Sequence, residues 1–125
     1  MNMTQSEYKK LVSKQQSKYR NVKTEIDGHT FDSKAEARRY SELGLMLQAG
    51  EIKGFGLQPS FTLPGGIRYR PDFIVCGLDG ISWVEDVKSS GTLTKEFKLK
   101  YKLWKSVYKW LELRVINQFG EVIYA

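Results

Sequence analysis

Two aspartates and a lysine carry the strongest chemical signal in this chain of 125 residues. Residues 67–76 read Ile-Arg-Tyr-Arg-Pro-Asp-Phe-Ile-Val-Cys, residues 77–80 read Gly-Leu-Asp-Gly, and residues 81–88 read Ile-Ser-Trp-Val-Glu-Asp-Val-Lys. The spacing predicts a strand, a turn around Asp79-Gly80 and a second strand. A turn centred near residue 79 places Asp72 opposite Asp86, and directly opposed strand residues have Cβ atoms about 5 Å apart. Two carboxylates that close repel unless a cation stands between them. Lys88 lies two residues beyond Asp86 and shares its face. Two converging acids beside a lysine point to a site for a hard metal ion. Strand alternation sends the adjacent acid, Glu85, to the other face with Trp83 and Val87, so Asp86 is the expected ligand; a bulge would exchange the two.

The helix ahead of the hairpin supplies a third acid. Ser33-Lys34-Ala35-Glu36 fits a capping box that opens a helix running to about Ala49 and stopped by Gly50. Glu36 is then a cap residue. On the same helix Glu36, Tyr40, Leu43 and Leu47 fall in one stripe, which turns Glu36 inward, and an inward carboxylate needs a hydrogen bond or a cation. Both readings of Glu36 stay open, while Arg38 and Arg39 fall to the side, in solvent or facing phosphate.

The remaining elements follow in order. A short hairpin spans Asn21 to Phe31 around Asp27-Gly28. Ile52–Leu57 reads as irregular, broken by Gly54 and Gly56, and Phe61–Leu63 as a strand ending in a turn at Pro64-Gly65-Gly66. A second helix runs from Thr94 to about Trp110, with Phe97, Tyr101, Trp104 and Tyr108 facing the sheet. Its Lys95, Lys98, Lys102, Lys105 and Lys109 fall within a sector of about 80°. Such a row is either a solvated face or a ridge that tracks a nucleic-acid backbone. Two final strands, Leu111–Asn117 and Glu121–Tyr124, flank Phe119-Gly120. Residues 1–20, with Lys18 and Arg20, form a basic arm ahead of a single domain over 21–125.

Composition narrows the function. The formal charge of +6 suits a polyanionic partner. A lone cysteine, Cys76, excludes an internal disulfide and cysteine-rich zinc sites, and a lone histidine, His29, excludes chemistry needing several. No apolar run is long enough to span a membrane and no signal-peptide core is present, so the cytoplasm is the expected compartment. Pro64-Gly65-Gly66 lacks the spacing and the lysine of a phosphate-binding loop, so no nucleotide cofactor is expected. No serine, cysteine and histidine arrangement suggests a covalent nucleophile.

With Pro71-Asp72, then Asp86-Val87-Lys88, and Glu36 on the preceding helix, the chain resembles the PD-(D/E)XK nucleases. Residues 18–117 are similar to small phage-encoded endonucleases of the Holliday-junction-resolvase type. That likeness is carried by Lys18-Tyr19-Arg20-Asn21, residues 27–37, Leu57-Gln58-Pro59, Pro71-Asp72-Phe73 and residues 84–88. The resemblance implies an α/β fold, a restriction-endonuclease-like core with a mixed central sheet flanked by two main helices. It implies Mg²⁺, with Mn²⁺ as a substitute, and hydrolysis of phosphodiesters in DNA, branched DNA first among substrates, by a homodimer in the host cytoplasm. Asp72, Asp86 and the Val87 carbonyl would hold the metal, with Glu36 bound directly or through water. Lys88 would orient water or stabilise developing charge, Gln58 and Glu85 would support these groups, and the lysine row with Lys18 and Arg20 would bind DNA. Two other readings remain open: a nicking or restriction-type nuclease, and a non-catalytic DNA-binding module.

Overall fold

The computed structural model describes residues 23–89 and 91–124. The basic arm, with Lys18 and Arg20, lies outside them. Among the described residues the fold is α/β, with a mixed five-stranded sheet and two helices. The chain opens with a hairpin, β1 (Thr24–Ile26) and β2 (His29–Phe31). Its turn places Asp27 and Gly28 both at positive φ, 53° and 80°, as a tight two-residue connection requires. Helix α1 (Lys34–Gln48) follows, with the Ser33 hydroxyl accepting from the Glu36 N–H at 3.1 Å. The expected start and stop of this helix are both found.

The sheet has the order β3-β6-β7-β8-β9, built from β3 (Ile52–Leu57), β6 (Phe73–Gly77), β7 (Ser82–Val87), β8 (Glu112–Ile116) and β9 (Val122–Tyr124). Strands β7 and β8 are parallel and the other neighbours antiparallel. A parallel pair needs a crossover, and α2 (Lys95–Val107) provides it. Outside this sheet β4 (Phe61–Leu63) pairs with β5 (Ile67–Tyr69).

Three expectations are corrected. Ile52–Leu57 is an edge strand: a register shift between Ile52 and Gly54 leaves Lys53 as the extra residue, and Gly54 pairs with Cys76 within the ladder. Gly56 lets Ile74 approach: a Cβ there would stand 3.2 Å from the Ile74 Cγ2. The strand expected over residues 67–76 is two strands. Pro71 has no N–H to donate, so β5 turns away to pair with β4 before β6 begins at Phe73. Helix α2 ends at Val107, so Lys109 and Trp110 lie beyond it. There the Trp104 indole donates to the Leu111 carbonyl at 2.8 Å and the Tyr108 hydroxyl to the Thr62 carbonyl at 2.8 Å, which holds the chain in a turn.

Each face of the sheet has its own core. Phe31, Ala37, Leu43, Phe73, Val75, Val87 and Ile116 pack on the α1 side. Leu63, Tyr69, Val84, Phe97, Trp104, Leu113 and Val115 pack on the α2 side, where β4 and β5 close the layer. Trp104, 1% exposed, meets the rings of Phe61, Tyr69 and Tyr108. Among the described residues no helix is long and apolar enough to cross a membrane. Trp104→Ala should cost about 3–5 kcal/mol, read from denaturant unfolding as a lower midpoint at unchanged slope.

Candidate functional site

The acids meet at one end of the sheet. The pairing of β6 with β7 sets Phe73 against Glu85, and one further step sets Asp72 against Asp86. Asp72 sits just before β6, behind Pro71. Its carbonyl accepts from the Gln58 N–H at 2.9 Å, and its Oδ2 accepts from the Val87 N–H at 2.7 Å. Asp86, 3% exposed, accepts a hydrogen bond from the Tyr69 hydroxyl, and its Oδ1 lies 3.5 Å from the Lys88 Nζ. Lys88 also stands 4.9 Å from the Phe97 ring centroid. Glu36 comes from the first turn of α1. Its backbone N–H donates to the Ser33 cap and its side chain lines the acidic cavity.

The cavity, about 550 Å³, is lined by Asp32, Glu36, Asp72, Asp86 and Glu96 against Arg70, Lys88 and Lys100. It opens between the first turns of the two helices, whose N-terminal amides add positive potential. Gln58 lines a smaller adjoining cavity of about 250 Å³ with Glu36 and Asp72, and holds the left-handed conformation at φ 47°. A non-glycine residue there costs of order 1–3 kcal/mol, which the Asp72 contact helps hold in place.

Burial first, and neighbouring charge second, raise the affinity of Glu36 and Asp72 for protons. Burial pushes the Glu36 carboxyl up to about 7, the charges of Asp32 and Asp86 add to the shift, and Lys88 opposes it. Asp72 keeps some solvent contact at the cavity wall, yet its carboxyl is held well above its ordinary range. Burial is the main cause, followed by the charge and hydrogen bond of Asp86 and the charge of Glu36; the Val87 N–H opposes them. Burial first, and Asp86 second, keep the Tyr69 phenol un-ionised as a donor.

Among the described residues no group of three His, Cys, Asp or Glu side chains is placed to hold a metal ion. The donor chemistry still fits Mg²⁺, which keeps several of its waters and needs one or two carboxylates rather than a full protein cage. Asp72, Asp86 and the Val87 carbonyl would be its protein ligands, and a divalent ion would relieve the repulsion between the two carboxylates.

Glu85 belongs elsewhere. It is fully buried on the α1 face, where the Arg39 guanidinium donates to it through Nε and Nη2, both at 2.7 Å, and the Trp83 indole donates at 2.9 Å. Its support of the cavity is therefore indirect. Arg39 also bonds Glu42 at 2.9 Å, which corrects the expectation of a solvated or phosphate-facing arginine. Lys95, Lys98, Lys102, Lys105 and Lys109 are exposed and none lines the acidic cavity. Lys100 does, 3.4 Å from Glu96, and the sequence reading passed over it. Its signal was available: Lys100 interrupts the apolar stripe between Phe97 and Trp104 at helical spacing. Tyr69, Arg70 and Asp32 were also missed. Tyr69 is legible only once β5 is known to fold over Asp86.

Residues 16–120 match a family described as protein of unknown function, DUF1064, and the chain belongs to that family. No curated protein matches it.

Two outcomes follow from the electrostatics. A carboxyl whose affinity for protons rises on folding favours the fold below its ordinary value and loses that contribution as pH climbs toward the raised one. For Glu36 the window runs from 4.5 to about 7. Metal-free protein should thus lose thermal stability across it, and Asp72→Asn, which keeps the acceptor for Val87, should raise the melting temperature near neutral pH and not at pH below 3.8. Thermal melts in chelator against pH measure both. Arg39→Met leaves Glu85 buried and unpaired and should cost about 3–5 kcal/mol. Adding Glu85→Gln, which removes the charge and keeps an acceptor for Trp83, should restore part of that loss in the same unfolding assay.

Proposed function

We propose that the protein is a metal-dependent DNA endonuclease that hydrolyses phosphodiester bonds, with branched DNA such as a four-way junction as its preferred substrate. The observation that carries this reading is the pairing of Asp72 with Asp86 in an open cavity, with Lys88 held against Asp86. Converging carboxylates suit a site that holds a divalent ion beside a phosphate, whereas a pure DNA-binding surface gains nothing from them. A bound Mg²⁺ would supply Lewis-acid polarisation of the scissile phosphate and acidify a water.

The chain's own residues do the rest. Asp72 and Asp86 present oxygens, and the Val87 N–H and the Tyr69 hydroxyl hold those oxygens in place. Lys88 carries the positive charge nearest Asp86 and would stabilise charge developing on the phosphate. Lys100 and Arg70 on the cavity wall would meet flanking phosphates. The exposed lysines of α2 support contact with a duplex backbone. Symmetric cutting of a junction needs two sites, which a C₂ homodimer would supply. The half-buried free thiol of Cys76 suits a reducing cytoplasm.

The test is cleavage of a four-way junction, a flap and linear duplexes with Mg²⁺. Wild type should cut and chelator should stop it. Asp72→Ala should abolish cleavage, and Lys88→Ala should lower the rate by about 10²–10³-fold, the usual loss for one group that stabilises transition-state charge. If every substrate stays intact, the nuclease reading fails. A preference for sequence-defined linear duplex would replace junctions with a restriction-type activity.

A further inference from the structure

The far end of α2 forms a second groove, separate from the acidic cavity. It encloses about 390 Å³ between the starts of β7 and β8 and the turn after α2. Trp83, Tyr108, Lys109, Trp110 and Arg114 line it. Its aromatic floor is tied to the fold by ring contacts and hydrogen bonds. The Arg114 guanidinium lies 4.0 Å over the Trp83 ring and pairs with Glu112. Tyr108 stacks on Trp104 at 4.5 Å and is anchored through its hydroxyl to Thr62. Trp110 rests on Tyr108 edge-on, 6.1 Å between centroids, and is 75% exposed. A large flat ring left in water on a fixed support is an open stacking surface.

Charge narrows what can occupy it. Among the described residues Glu112 is the acid lining the groove, and Arg114 pairs with it, so the exposed Lys109 leaves the rim positive. An aromatic platform beside cations fits a nucleobase with its phosphate, and base stacking on such a ring tolerates any sequence. The groove is also continuous with the lysine row: Lys95, Lys98, Lys102, Lys105 and Lys109 are exposed in succession from the acidic cavity to Trp110. Thr94, Glu96 and Phe97 of the first turn line the cavity, while Lys105 and Tyr108 at the other end line the groove. The helix between them is 13 residues long, or about 20 Å at the usual rise.

We propose that this groove binds an unpaired nucleotide of a DNA substrate, with its base stacked on Trp110 and its phosphates on the lysines that lead from the acidic cavity. The inference rests on the nuclease reading for its substrate and sharpens it: DNA with a single-stranded segment is favoured over uninterrupted duplex.

The test is binding without cleavage, so its result is independent of catalysis. Full-length protein in chelator is titrated with short oligodeoxythymidylate and with an abasic oligomer of the same length. Wild type should bind the thymidylate with quenching of tryptophan fluorescence, and the abasic oligomer more weakly. Trp110→Ala should weaken thymidylate binding roughly 10-fold, the size of one lost base stack, while Trp110→Phe should retain most of it. Equal affinity for both oligomers, or unchanged binding by Trp110→Ala, overturns the proposal. So does a change in oligomeric state by Trp110→Ala with no change in oligomer binding, which would make the groove a contact between copies.

Discussion

The bidentate contact between Arg39 and Glu85 decides which way β7 faces. A strand turns alternate side chains to opposite sides, so the face of one residue sets the face of every other. Glu85 and Asp86 are adjacent acids, and either could have pointed into the cavity. Arg39 and the Trp83 indole satisfy Glu85 on the α1 side, which leaves Asp86 on the α2 side with Tyr69 and Lys88. Slipping the strand by one residue would bury Asp86 opposite Arg39 and strip Glu85 of both donors. The pair gains little over an apolar contact, since desolvating two charges offsets most of their attraction, but breaking it leaves a bare charge in the core. Its value here is one of register. It also ties α1 to β7, and because Glu36 lies less than one turn before Arg39, the same contact sets where Glu36 enters the cavity.

The acidic cavity works against the fold that holds it. Asp72, Asp86 and Glu36 crowd together, and burial makes Asp72 and Glu36 harder to ionise, with the charge of Asp86 adding to both shifts. The surrounding structure tolerates this through fixed donors rather than through counter-charge alone. The break at Pro71 is part of that arrangement. Had the chain run straight from Ile67 to Cys76, Tyr69 would have lain in the same sheet as Asp72. Turned aside to pair with β4, β5 instead brings the Tyr69 hydroxyl to Asp86. A polar group held un-ionised by burial is a dependable donor, and it leaves one oxygen of Asp86 facing Lys88.

Much of this was legible from residue order. The caps at Ser33 and Thr94, the hairpin turn near Asp79 and the opposition of Asp72 to Asp86 depend on local rules, and the structure contains them all. What escaped depends on contacts remote in sequence. The glycines of Ile52–Leu57 look like breakers in isolation, and only the neighbouring Ile74 explains why Gly56 suits a strand. Arg39 looked like a surface residue because its partner lies 46 positions away. Lys109 was drawn into a helix that in fact stops at Val107, since the contacts that turn the chain there come from Leu111 and Thr62.

The topology also explains why the two grooves lie at opposite ends of one helix. Strands β7 and β8 are parallel, so the chain must return the full length of the sheet between them, and α2 makes that return. Its first turn therefore starts beside Asp86 and Lys88, where β7 ends, and its last turn lies beside Trp83 and Glu112, where β7 and β8 begin. Lysines on the outer side of such a helix form a line with two distinct ends, one acidic and one aromatic. Under the proposed function, a polyanion bound along that line would be oriented before any contact with the acids is made. Orientation would then come from the crossover itself, and the side chains at each end would only specify what the ends recognise.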